Sequence, residues 1–474
     1  TPAPVKRLCR IARFGTFQPA TPDYATAFKA IGPAAVKLGQ TLATRPDLVG
    51  EEAARNLLSL QDQLPPLPFS VLRPHIEASF GQPLGSLFQS VDETAVGSAS
   101  IAQVHKARLS DSGEDVAVKV LRPGIERAFR KDIDAFYLAA STLERLLPST
   151  RRLRPLEVIR HFEGVVMGEL DLRLESASAS EFLANTAKDA GFQVPQPVWR
   201  LSGRSVMTMD WAEGINLSDN AALDAAGHDR VKLGNRVLQL FLSHALRDGF
   251  FHGDMHQGNL KVAANGDIIA YDFGIMGRID AYTRKVYAEI LMGFIQRNYR
   301  RVAEVHFEAG YVPADRDVEA FASALRAVGE PIFGMEANRI SMAKLLAYLF
   351  EVTERFGMQT RTELILLQRT MVVVEGVARS LDDNINIWEV ARPVVESYIR
   401  SHVGPVALIR DLVSTVEVLA RFGPRLPRLV EDLLIAQAEG PKPPPNRRAV
   451  PLVWATLGAA AFLAAGVWAG FTLR

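Results

Sequence analysis

Asp254 and Asn259 stand five positions apart in His252-Gly-Asp-Met-His-Gln-Gly-Asn259, on a loop that also carries Gly253 and Gly258. Asp272 follows a short apolar run, Ile268–Tyr271, and opens Asp-Phe-Gly274. Three oxygen-bearing side chains are thereby brought to one strand end. Phosphoryl transfer from a nucleotide needs such a set, because Mg²⁺ takes hard oxygen ligands and the attacking oxygen must be positioned. Either motif alone could sit in any solvated turn; their order and separation by a plausible hairpin favour chemistry.

An Asp-x4-Asn loop followed by Asp-Phe-Gly is the order found in kinases, which predicts the other parts of such a site upstream. Gly97-Ser-Ala-Ser100 reads as a turn of small residues between two strands, and Val116-Ala-Val-Lys119 as the strand that would bring a cation to the phosphates. A kinase also needs a helical carboxylate to hold that lysine. Glu169, Asp171 and Glu175 are the candidates, and in a continuous helix over 156–187 Asp171 and Glu175 would share a face, one turn apart. Asp210-Trp-Ala-Glu-Gly214 falls where a hinge between two lobes would offer backbone groups to a base.

The elements that must position these residues follow from periodicity. Residues 21–63 have helical spacing (Phe28, Ile31, Leu38, Leu42), with Gly32-Pro33 as a break and Pro65-Pro-Leu-Pro68 as a stiff connector. A helix is expected over 70–79, strands through 88–109 and 115–121 around the turn Asp111-Ser-Gly113, and helices over 127–147 and 156–187. Residues 194–201 and 205–209 read as a hairpin. A helix over 230–248 delivers the chain to the Asp254 loop, and helices are expected over 282–307, 318–327, 341–356, 362–381, 390–399 and 407–438. The predicted fold class is α+β, with two lobes, a β-rich one over 69–213 and a helical one over 214–400. A helical extension at 1–68, amphipathic helices at 401–440 and a Pro-rich linker at 441–448 complete the expected domains.

At 474 residues the chain exceeds one ordinary domain, and a formal net charge of +1 with no basic block gives no reason to expect nucleic acid. The single cysteine, Cys9, excludes an internal disulfide framework. No G-x-G-x-x-G and no Cys/His cluster marks a flavin, nicotinamide or zinc protein. Residues 449–473 are uncharged and long enough, as a helix, to cross a ~30 Å hydrocarbon core. Trp454 and Trp468 lie towards its ends; Lys442, Arg447 and Arg448 precede it and Arg474 follows. These features predict a single-pass tail anchor with the N-terminal mass in the cytoplasm. Lys6, Arg7, Arg10 and Arg13 are not followed by a clean apolar run, so no secretory signal is expected.

Taken together, Lys37-Leu-Gly-Gln40, Gly97-Ser-Ala-Ser-Ile-Ala-Gln-Val-His105, Val-Ala-Val-Lys119, Glu169-Leu-Asp171 with Glu175, Asp254 to Asn259 and Asp272-Phe-Gly274 resemble the UbiB family of atypical kinase-like proteins, over roughly residues 20–400. The resemblance implies an ATP- and Mg²⁺-dependent ATPase of the bacterial inner membrane. It would support ubiquinone biosynthesis, handling polyprenyl-phenol lipids at the membrane beside other enzymes of that synthesis. Residue by residue, it implies that Asp254 is the catalytic-loop aspartate and that Lys119 contacts the phosphates and pairs with Glu175. Asn259 and Asp272 would hold the metal. Gly97, Ser98, Ala99, Ser100, Val104 and Lys119 would contact the nucleotide, with Asp210, Trp211 and Ala212 at the hinge. Gly97 stands where the family more usually has alanine. Lys37 and Gln40, with Glu169 and Asp171, would form a lid over the acceptor groove, leaving water or a small molecule to reach the γ-phosphate. Two alternatives are a small-molecule phosphotransferase of the aminoglycoside or choline kinase kind, which has no use for the Lys37–Gln40 extension, and a nucleotide-binding scaffold, which need not keep every phosphate and metal group.

Overall fold

Valine at every second position makes 115–121 a strand with two different faces. Val116, Val118 and Val120 are 0 to 1% exposed, while Ala117 and Lys119 look the other way. The apolar face meets Phe69, Leu72 and Ile76 in one core cluster, so the lysine is left facing a cleft.

The computed structural model describes residues 24–43, 65–146, 154–333 and 362–402, with Ala53, Asn56, Leu57, Leu60, Val352 and 355–358 between them. Helices α1 (Tyr24–Ile31) and α2 (Pro33–Ala43) come first, then α3 (Phe69–Phe80) and α4 (Leu84–Leu87). Strands β1 (Phe88–Val91), β2 (Gly97–Ser98), β3 (Ala102–Leu109) and β4 (Asp115–Leu121) follow, with Gly113 at φ 72° in the turn between the last two. Helices α5 (Ile125–Leu146), α6 (Pro155–Glu169) and α7 (Leu172–Thr186) lead to β5 (Phe192–Gln193), β6 (Val206–Asp210) and β7 (Ile215–Asn216). Next come α8 (Asn220–Ala225), α9 (Arg230–Ser243), β8 (Phe250–His252), β9 (Leu260–Val262), β10 (Ile268–Ala270) and β11 (Met276–Arg278). The remaining described helices are α10 (Ala281–Ile295), α11 (Tyr299–Glu308), α12 (Val318–Phe333), α13 (Thr362–Leu381) and α14 (Ile387–His402).

β1, β3, β4 and β6 form an antiparallel sheet in that order, with β2 folded onto β3. Its register sets Val104 opposite both Gly97 and Lys119. A second sheet runs β5-β10-β9-β7, and β8 pairs with β11. α9 packs on α13 and α14, and α10 on α11 and α14. The described residues of 133–159 belong to a second unit of the chain, in which Arg154 and Glu157 pair across 3.3 Å.

Several elements differ from the sequence-based expectation. The helix expected over 156–187 is two helices, because Asp171 is extended (φ −123°, ψ 91°) and its side chain caps α7 by accepting the Arg173 N–H. Residues 194–198 form no regular strand: Pro195 and Pro197 supply no N–H, and contact with β6 is reduced to an isolated bridge, Pro197 to Met209. The helix expected over 282–307 breaks at Arg297 (φ 56°), after which Asn298 caps α11. The expected helices at 341–356 and 407–438 and the linker at 441–448 fall wholly or largely outside the described residues. So does the expected span at 449–473. Among the described residues no helix is long and apolar enough to cross a membrane; the long α13, for example, carries Arg369, Glu375 and Arg379. The single-pass anchor and the inner-membrane location drawn from it are therefore withdrawn.

Candidate active site

Lys119 projects from β4 and its Nζ lies 2.7 and 2.9 Å from the two carboxylate oxygens of Glu175 and 3.3 Å from Oδ2 of Asp272. Glu175 reaches it from the first turn of α7, a helix whose start is tied down by the Leu172 N–H on the Arg204 carbonyl, 3.0 Å. Burial pushes the Glu175 carboxyl up, with Lys119 and the Phe273 N–H opposing. Burial alone would lower Lys119; Asp272 and Glu175 overcome it and hold the ammonium above the ordinary lysine range. Asp272 is likewise pushed up by burial but held at about 2, chiefly by Lys119 and by the Gly274 N–H. Lys119 is thus the cation shared by two carboxylates.

The Asp254 loop is fixed by its neighbours. β8 and β11 pair Phe251 with Gly277, where a Cβ would sit 2.2 Å from the Phe251 ring, so only glycine lets the strands approach. The Gly253 N–H bonds to the Ile275 carbonyl, 2.8 Å, and the Asp254 N–H to His252 Nδ1, 3.0 Å. Burial lowers the His252 pKa, which suits an imidazole accepting that bond. The Asn259 amide donates to the Asp254 carbonyl, 2.9 Å, and Tyr271 Oη donates to the Gly258 carbonyl. From α13, Thr370 Oγ1 donates to the Gly253 carbonyl, 3.0 Å, and Ser380 Oγ receives the Gln257 amide. The Asp254 carboxylate is a third exposed, with His256 Nε2 3.6 Å away.

A carboxylate at Asp272 and an amide carbonyl at Asn259 are a hard-oxygen pair that fits Mg²⁺, which keeps waters and takes phosphate oxygens for its remaining positions. Among the described residues no group of three or more His, Cys, Asp or Glu side chains could hold a metal by themselves.

Around the small-residue turn, Gly97 and Ser98 pair with Val104 and Gln103, and the Ala99 N–H bonds to the Ala102 carbonyl, 2.9 Å. Ser100 is turned inward, 2% exposed. A Cβ built at Gly97 meets nothing within 4 Å, so alanine fits there as well. At the hinge, Asp210 accepts the Gln196 N–H, 3.2 Å, and the Lys106 and Lys261 ammoniums each lie 4.9 Å from the centroid of the Trp211 ring. Lys261 also donates to the Ala212 carbonyl, 2.9 Å. Sequence reasoning missed Lys261; its signal was the alternation of β9, where Leu260 and Val262 are buried and the residue between them faces out. A cavity of about 530 Å³ touches these hinge residues together with Gln193–Pro195 and Ala263–Asn265, but none of Lys119, Asp254, Asn259 or Asp272 lines it.

Of the four residues expected in the lid, two meet: Lys37 Nζ is 2.9 Å from Glu169 Oε2, both largely buried. Gln40 instead donates to the Leu60 carbonyl, 3.4 Å, and Asp171 is held by the Arg173 guanidinium at 2.8 and 2.6 Å. Gly39 is required by packing, since a Cβ there would lie 2.4 Å from Leu60 and 2.8 Å from Phe28.

A strand lysine held by a helical carboxylate, facing an Asp-x4-Asn loop and an Asp-Phe-Gly segment, defines a kinase-like protein. Residues 59–306 match the ABC1 atypical kinase-like domain and residues 325–386 the UbiB helical domain. Similar chains include the "Probable protein kinase UbiB" of Marinobacter nauticus, 38% identical over 432 residues that cover 90% of this chain and 79% of that one. The protein of the same name from Cronobacter sakazakii is 39% identical over 413 residues, 86% of this chain and 76% of that one. The solved complex of Rv3197 with erythromycin from Mycobacterium tuberculosis superposes with a TM-score of 0.55 at 25% identity, covering 82% of this chain and 97% of that one. The chain belongs to the UbiB family of atypical kinase-like proteins.

Proposed function

We propose that this protein hydrolyses ATP with Mg²⁺ and thereby supports ubiquinone biosynthesis, acting on polyprenyl-phenol intermediates. The observation that carries the reading is the Lys119–Glu175–Asp272 cluster, assembled from residues up to 153 positions apart in the chain. Lys119 neutralises the phosphates and Glu175 keeps its ammonium aimed into the cleft. Asp272 and Asn259 would hold Mg²⁺, which when bound supplies charge neutralisation on the β- and γ-phosphate oxygens. Asp254, one-third exposed at the loop, orients the attacking oxygen and receives its proton. The Lys37–Glu169 contact ties the N-terminal helices to α6; a lid over the acceptor groove, as the resemblance implies, would leave water rather than a protein to reach the γ-phosphate. Ubiquinone as the pathway rests on family membership, and the handling of lipid intermediates on the resemblance.

The test is Asp272→Asn in the full chain. Mg²⁺-dependent ATP hydrolysis should fall at least 100-fold with the melting temperature retained, and ubiquinone should drop in cells that carry only this variant. Normal ubiquinone in those cells would remove the pathway assignment; undiminished hydrolysis would remove the ATPase.

A further inference from the structure

Gln103 and His105, on either side of Val104, take no part in the chemistry proposed above, yet each is 1% exposed. Their polar atoms are taken up by each other and by the backbone of Leu67 and Asp92. The Gln103 amide oxygen accepts the Leu67 N–H, 2.9 Å, and its nitrogen donates to the Leu67 carbonyl, 3.2 Å. The second amide hydrogen goes to His105 Nε2, 2.8 Å, which leaves His105 Nδ1 to donate to the Asp92 carbonyl, 2.8 Å. Each partner is satisfied only if the imidazole is neutral with its proton on Nδ1. Gln103 therefore grips residue 67 as a neighbouring strand would.

A second grip lies next to the first. Arg122, just beyond β4, donates from Nη2 to the Pro65 carbonyl, 2.8 Å, and to Ser98 Oγ, 2.9 Å, and from Nε to the Ala99 carbonyl, 3.0 Å. One planar guanidinium thus spans the segment 65–67 and the turn 97–100; a lysine in its place would present a single point charge. Gln103 belongs to the same device, since its backbone pairs with Ser98.

We propose that Arg122 and Gln103 are positioning residues that make the setting of the 97–100 turn depend on the placement of the N-terminal extension. The proposal rests on the reading of the cleft as a nucleotide site. Its physical content is reciprocal linkage: if displacing the extension loosens the turn, binding nucleotide under the turn must change the hold on the extension by the same factor. Neither residue touches the reacting atoms.

A double-mutant cycle on the full chain tests this, with the Kd for Mg²⁺ and the non-hydrolysable analogue AMP-PNP measured by calorimetry. Lys37→Ala loosens the extension through its contact with Glu169, and Arg122→Gln cuts the link to the turn. Couplings between sites commonly run from about 5- to 150-fold. Lys37→Ala is expected to change the Kd at least about fivefold in the parent chain and less than about twofold in the Arg122→Gln background. Equal changes in both backgrounds overturn the coupling while leaving nucleotide binding intact; no binding by the parent chain overturns the nucleotide reading and this proposal together. Should Arg122→Gln not fold, amide exchange at Leu67 in the parent chain decides: a rate that changes at least threefold with nucleotide supports the link, and an unchanged rate overturns it.

Discussion

At the scale of single residues, Lys119 carries the heaviest duty. It is the cation for two carboxylates, of which Glu175 is 8% exposed and Asp272 42%. Removing one partner of a fully buried pair costs about 3–5 kcal/mol, and partial exposure reduces this, so Lys119→Met should cost about 2–3 kcal/mol. Glu175→Gln added to Lys119→Met should recover more than half of that loss, because the unpaired buried charge is gone. Urea unfolding of the three variants gives the answer, and strictly additive losses would show that the two groups do not depend on each other. Gly97 illustrates the opposite case, a site residue whose side-chain space is open, so its difference from alanine needs no steric explanation.

At the scale of elements, the break between α6 and α7 decides which carboxylate meets the lysine. A continuous helix would put Asp171 and Glu175 on one face. The observed cap instead turns Asp171 towards Arg173 and leaves Glu175 in the first turn of α7, aimed at β4. Asp171→Ala should therefore act through the cap, costing about 1 kcal/mol and lowering the melting temperature by about 2–4 °C. An unchanged melting temperature with faster ATP turnover would mark Asp171 as part of the lid instead. α13 has a comparable bearing on the site. Its Thr370 and Ser380 hold Gly253 and Gln257 on either side of Asp254, so a helix more than a hundred residues downstream sets the loop.

For the molecule as a whole, buried imidazoles make stability depend on pH. Burial lowers the pKa of His244, despite its bond to Asp189, and of His306, whose Nδ1 meets the Val302 carbonyl. Both are taken up by the fold as neutral groups, so the unfolded chain binds more protons. Their contribution is fully present above the ordinary imidazole value near 6.5 and is lost as pH falls below it, at up to about 1.4 kcal/mol per pH unit for each. Asp189, which burial raises but His244 and Arg247 hold far below the carboxylate range, adds a further loss only in stronger acid. Denaturant unfolding at pH 7.5, 6.5 and 5.5 should show stability flat over the first step and falling over the second. A flat result over both would mean that these imidazoles bind protons as readily in the fold as in the unfolded chain.

The sequence by itself determined the order of the chemical groups and the strands that bear them. Alternating valines specify β4 and hence the side on which Lys119 emerges, and glycines at Gly113 and Gly277 mark a turn and a close approach that only that residue allows. These are local properties, set by side-chain period and backbone sterics over a few positions. The tertiary structure alone decided the pairings that depend on where separate elements end. Spacing left Asp171 and Glu175 equal and only the family resemblance pointed to Glu175, which the fold brings to Lys119; Lys37 meets Glu169 while Gln40 does not, and Arg122 and Lys261 acquire partners that spacing along the chain does not suggest. A charged side chain at a helix start or strand edge has several acceptors within reach, and which one it takes is settled by the packing of elements remote in sequence.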